Sequence, residues 1–208
     1  EGTALLASQV LAPAAAAQYM MSLRLVLMLA AFAQLPFQVA IPALVTRFSL
    51  GERGELVRTI ERLRSVVLGV LVLGAFLLPL LLEAMAALGL KTAPLALELW
   101  SLLALYALME RAGSVNIQAQ TLNKVVNWHK VNGLTGLASL LLVTALGKSL
   151  GAEGFALAFV LAYGLVYFPY SVWLRYQVYG RPLPLWDRLL AGLLLAVLLL
   201  LGAGHLGV

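Results

Sequence analysis

Three polar residues interrupt a long, mostly apolar stretch near the start of the chain. Arg24, Gln34 and Gln38 all lie between residues 14 and 47, where the pattern predicts a helix. At about 100° per residue their side chains fall within roughly an 80° sector of that helix. The guanidinium of Arg24 matches the spacing of phosphate oxygens, so Arg24 is a candidate ligand for a phosphate group. The alternative is a structural role, in which Arg24 forms an ion pair or extends to the membrane interface.

A second set of polar residues follows one face of the helix predicted for residues 95–123. This set is Tyr106, Glu110, Ser114, Gln118 and Thr121. They lie within about 120° of one another, which indicates either a water-filled lumen or hydrogen bonds that hold a helix bundle together. Glu110 is a candidate to pair with Arg24 or to titrate in an ion-coupled cycle. Its neighbour Arg111 points about 100° away, so the two are not expected to be partners.

Residues suited to enzymatic chemistry are few and scattered. The chain has one aspartate, Asp187, two histidines, His129 and His205, and no cysteine. None of the three lies within motif distance of another, and no phosphate-binding loop or nucleophile elbow occurs. The sequence therefore favours neither an enzyme nor a protein with a metal or another cofactor.

The composition indicates a protein whose natural solvent is lipid. Hydrophobic residues make up 62% of the chain and charged residues 11%, compared with about 25% charged residues in soluble domains. The formal charge is +5, but the lysines and arginines lie between apolar stretches and form no basic face. A nucleic-acid partner is therefore not expected, and the lipid bilayer is.

The hydropathy pattern predicts an all-α, polytopic membrane helix bundle with about six transmembrane helices. The six spans are 14–47, 65–88, 95–123, 131–146, 155–176 and 185–203. The chain begins at Glu1 without a methionine, and the apolar stretch 4–11 is too short to cross a bilayer. We therefore expect the end of an earlier helix there and a longer protein. Pro36 and Pro42 are expected bending points in the first span.

Basic residues between the spans predict the orientation of the bundle. From the segment before the first span, through the five connections, to the C-terminal tail, the Lys and Arg counts are 0, 5, 1, 2, 1, 3 and 0. This alternation places the connections after the first, third and fifth spans in the cytoplasm, with the C-terminus outside. In the first of them, Ser49 and Glu52 fit a capping box, and basic amphipathic turns from Glu52 to Arg64 should run directly into the second span.

Four features of residues 3–180 resemble the C-terminal half of polysaccharide-biosynthesis flippases, which move O-antigen or other lipid-linked oligosaccharides. These proteins belong to the multidrug/oligosaccharidyl-lipid/polysaccharide exporter superfamily. The features are the segment Leu11–Tyr19, the segment Ile41–Arg47 with its basic continuation, the polar exit Asn116–Lys124, and the Gly151-x-x-Gly154 entry to the fifth span. The resemblance implies two six-helix lobes around a central cavity that carry lipid-pyrophosphate-linked sugars across the bacterial inner membrane by alternating access.

The resemblance also assigns the parts of this chain. Residues 1–180 would be the C-terminal lobe with a truncated first helix, 181–208 an additional transmembrane helix, and the missing N-terminal half a partner. Arg24 would bind the pyrophosphate of a polyprenyl-linked saccharide. The saccharide path would be lined by Gln34, Gln38, Glu110, Ser114 and Gln118. A cation-coupled multidrug exporter of the same superfamily and a non-transporting membrane scaffold are the alternatives.

Overall fold

The described part of the chain consists of helices joined by short turns, without strands. The computed structural model describes residues 2–90, 95–121, 128–179, 187–193 and 195–196. The helices are α1 (Gly2–Val10), α2 (Pro13–Ser49), α3 (Arg53–Ala87), α4 (Leu97–Thr121), α5 (Trp128–Ala162) and α6 (Phe168–Tyr179), with a π-helical segment (Tyr163–Tyr167) between the last two. Residues 187–193 are helical as well. Lys91, Lys124, Arg181, Trp186 and the end of the sixth predicted span lie outside the described residues.

Within the described residues, three helices are long and apolar enough to cross a membrane. They are Pro13–Ser49, Arg53–Ala87 and His129–Gln177, the last formed by consecutive elements. The outer faces of α2 and α3 expose large apolar side chains; Val39, for example, is 79% exposed and Phe76 71%. Such faces suit lipid far better than water. The chain is therefore a multi-pass membrane protein, whereas the count of about six transmembrane helices stays a prediction.

The connection between α2 and α3 is a tight turn without the predicted capping box. Gly51 makes the turn with a positive φ of 74°. Ser49 donates its hydroxyl hydrogen bond to the Thr46 carbonyl at 2.7 Å, and Glu52, at the N-cap position of α3, makes no capping bond with its side chain. The capping box is thus wrong, because Ser49 is the last residue of α2 and Glu52 itself occupies the N-cap position of α3. The prediction of basic turns continuous with the second span is confirmed.

A sharp reversal at Gly151 separates two parts of α5. Gly151 has φ 62° and ψ −137°, outside the helical region. A Cβ at Gly154 would lie 2.2 Å from the Leu146 carbonyl oxygen, although residues eight apart in a straight helix are about 12 Å apart. The same closeness brings the Phe155 ring against Gly147. The chain therefore folds back on itself here, between the predicted fourth and fifth spans.

Helix α4 lies at the centre of the bundle. It contacts α2, α3, α5, the π-helical segment and α6. Residues 112–117 and 119–120 are buried on all sides, and small residues such as Ala107, Ala112 and Gly113 let the neighbouring helices approach closely. Polar side chains on α4 are consequently held inside the bundle.

One contact of α4 compensates for a proline in α3. Pro79 has no N–H, so the carbonyl of Ala75, four residues earlier, loses its helical donor. The indole Nε1 of Trp100 donates to that carbonyl at 2.9 Å. Without this bond, a backbone carbonyl in an apolar region would lack a partner.

Candidate binding cavity

Two glutamines and a serine form a chain of hydrogen bonds between α2 and α4. Gln34 Nε2 donates to Gln118 Oε1 at 3.1 Å, and Gln118 Nε2 donates to Ser114 Oγ at 3.2 Å. Ser114 and Gln118 are four residues apart and so share a face of α4. The structure thus brings three of the predicted site residues into direct contact.

Glu110 lies one turn before Ser114 and pairs with its own neighbour. Its Oε2 is 2.7 Å from Nε of Arg111, and each side chain is 20% exposed. The expectation that these two would not be partners is therefore wrong. Successive helical residues point apart, so the contact requires both side chains to bend towards each other.

A cavity of about 480 Å³ opens beside this polar face. It is lined by Glu110, Ser114, Ile117, Gln118, Asn132, Tyr163 and Tyr167. Its walls come from α4, the start of α5 and the π-helical segment. Three of the lining residues were expected from the sequence. Its volume lies within the range of about 300–1,000 Å³ that is usual for sites of small molecules.

The two tyrosines reach the cavity through an irregular turn. Pro169 has no N–H for the carbonyl of Leu165, and the preceding turn widens so that the Phe168 N–H bonds to Tyr163 O, five residues earlier. The ring centroids of Tyr163 and Tyr167 are 5.1 Å apart. The Tyr167 ring also crosses α4 where a Cβ at Gly113 would lie 2.6 Å from it. Sequence reasoning missed both tyrosines and Asn132; the signal for the tyrosines was Pro169 next to a Tyr-x-x-x-Tyr pair.

Arg24 and Gln38 do not line this cavity. Both are exposed on the outer surface of α2, whereas Gln34 is 1% exposed. The sector of α2 that contains Arg24, Gln34 and Gln38 therefore includes part of the buried face and part of the outer face of the helix. Of the α4 set, Tyr106 packs edge-to-face against Tyr163 with centroids 4.9 Å apart, and the side chain of Thr121 lies outside the described residues.

A separate ionic cluster, which sequence reasoning also missed, joins α3, α6 and residues 187–193. Asp187 accepts from Arg64 and, at 3.1 Å, from Arg175, and Arg175 also pairs with Glu61. Asp187 and Arg64 are each 1% exposed. All four charges are compensated inside the cluster, which indicates that it fixes the helices rather than binds a ligand.

Among the described residues, no three His, Cys, Asp or Glu side chains come together as metal ligands. Comparison with protein-family models, curated proteins and solved structures finds no match for the chain.

Proposed function

We propose that this chain is one lobe of a transporter that moves a lipid-linked saccharide across the bacterial inner membrane by alternating access. The observation that supports this most is the polar cavity at α4, within a largely apolar bundle. Polar groups are costly inside a membrane and commonly line a substrate path. Hydroxyl, amide and carboxylate groups beside two tyrosine rings suit a sugar, which offers hydroxyls at its edges and apolar C–H faces.

In this proposal the cavity residues contact the sugar. Glu110, Ser114 and Gln118 accept or donate hydrogen bonds, and Gln34 holds Gln118 in position through its amide. Arg24, exposed on α2, is assigned to the pyrophosphate together with Gln38 at a surface that a second lobe would complete. The polyprenyl chain stays in the bilayer. The saccharide is taken up on the cytoplasmic side and released outside.

Export of cell-surface polysaccharide tests the proposal. The full gene is deleted from its source strain and restored with wild type, Glu110→Gln or Gln118→Ala. We expect export to fall about tenfold in both variants, since Glu110→Gln weakens a charge-assisted hydrogen bond to the sugar and Gln118→Ala removes a neutral one, each at a cost of about 1.5 kcal/mol. Lys148→Gln, at an exposed position, is the control and should export normally.

The other functions predict different results in the same strains. Normal export in both cavity variants would overturn the proposal. Loss of dye efflux on deletion, with glycan export unchanged, would point instead to a cation-coupled multidrug exporter, and loss of neither to a membrane scaffold. Protein levels in the membrane, measured by immunoblot, separate a functional loss from poor folding.

A further inference from the structure

We infer that Glu110 makes the cavity selective for neutral sugars and excludes acidic ones. The inference rests on the proposed function, because it specifies which saccharides that cavity accepts. It follows from which member of the Glu110–Arg111 pair faces the cavity and from the charges of the other lining residues.

The pair presents its negative end to the cavity. Glu110 is among the lining residues and Arg111 is not, although Arg111 Nε lies 2.7 Å from the Glu110 carboxylate. A ligand that enters therefore meets the carboxylate first. The guanidinium stabilises the charge on Glu110 from the far side.

Among the described lining residues, none carries a positive charge. Ser114, Gln118 and Asn132 are neutral hydrogen-bonding side chains, and Tyr163 and Tyr167 add phenols and ring faces. A carboxylate on the ligand would lose part of its hydration without gaining a cation from these residues, and it would lie close to Glu110. Juxtaposition of like charges is strongly unfavourable and is a common source of specificity. A neutral sugar avoids this cost, since its hydroxyls can donate to Glu110.

Two glycosides that differ in one group test the inference. Decyl glucoside and decyl glucuronide share the ring and the alkyl chain, and they differ only in a hydroxymethyl group against a carboxylate. The full-length protein is placed in lipid nanodiscs, and binding is measured by isothermal titration calorimetry with empty nanodiscs as the blank. We expect the glucuronide to bind about tenfold more weakly, or worse.

Loss of the Glu110 charge should reduce this ratio. Glu110→Gln removes the repelling charge, so the two glycosides should bind within about twofold of each other. A purely structural pair would instead weaken the binding of both glycosides together. Glu153→Gln, at an exposed position, is the matched control and should keep the wild-type ratio.

Equal binding of the two glycosides to wild type would overturn the inference, as would a wild-type ratio in Glu110→Gln. Binding of neither glycoside would overturn it as well. If export still depended on Glu110 in that case, the transport proposal would stand without the selectivity. Normal export in both the Glu110 and the Gln118 variants would remove the transport proposal by itself.

Discussion

Asp187→Asn tests the ionic cluster that joins α3, α6 and residues 187–193. Asp187 is the carboxylate shared by Arg64 and Arg175. The substitution keeps the volume of the side chain but removes its charge. Arg175 then retains Glu61, whereas Arg64 loses its carboxylate partner while 1% exposed. A buried charge left without its partner costs about 3–5 kcal/mol, and two nitrogens of Arg64 already lack a hydrogen-bond partner. We expect a loss of that size in the free energy of unfolding.

The reverse substitution should cost less. Arg64→Met leaves Asp187 paired with Arg175 at 3.1 Å, and the methionine fills most of the space of the arginine stem. We therefore expect a loss of about half that of Asp187→Asn. Adding Arg64→Met to Asp187→Asn should recover stability, because it removes the stranded guanidinium. This order of the three variants follows from one carboxylate serving two arginines.

The assay is reversible unfolding in mixed micelles, with SDS as the denaturant and helical circular dichroism as the readout. Glu153→Gln is the control, since its carboxylate is exposed. A loss below about 1 kcal/mol for Asp187→Asn, typical of surface ion pairs, would refute the buried cluster. A double variant less stable than Asp187→Asn would refute the reasoning about the stranded arginine.

Two further predictions use the same unfolding assay. Trp100→Phe should lower the free energy of unfolding by about 1 kcal/mol, because it removes the donor to the Ala75 carbonyl. The loss should be smaller in a Pro79→Ala background, where a backbone N–H is restored. An equal loss in both backgrounds would contradict the explanation. Gly113→Ala should cost about 1–3 kcal/mol, since its Cβ would lie 2.6 Å from the Tyr167 ring. Adding Tyr167→Ala should relieve the clash, and a purely additive double variant would show that the clash is absent.

Helix positions were predictable because the apolar runs are long and their breaks are chemically marked. Residues 14–47 and the continuous segment from the basic turns to 88 correspond closely to α2 and α3. The reversal within α5 occurs at Gly151, because a glycine readily adopts the positive φ found there. The capping box failed although its residues were present, because α2 continues through Ser49 and α3 begins only at Arg53.

The candidate site was only partly predictable, because periodicity gives the angle between side chains on a helix but not which side of the helix faces the bundle. Gln34 and Gln38 are about 40° apart on α2, yet one is buried and the other exposed. Tyr163 and Tyr167 reach the cavity through a π-turn, which shifts the register that an α-helical count assumes. The Arg64–Asp187 pair joins residues 123 positions apart, and no local pattern indicates such a contact.

The polar groups of the bundle are therefore held in two different ways, by ion pairs in the cluster and by neutral hydrogen bonds at the cavity. The charges of the ionic cluster are compensated and join α3 to α6 strongly. The amide of Gln118 is held instead by one hydrogen bond from Gln34 on α2, and hydrogen bonds of this kind in membranes are worth about 0.6 kcal/mol. Because α2 and α4 also pack through the shared apolar core, loss of this bond should free the Gln118 side chain without separating the two helices. In the proposed transporter we therefore expect the cavity side chains to rearrange around the saccharide, while the cluster keeps α3 and α6 together.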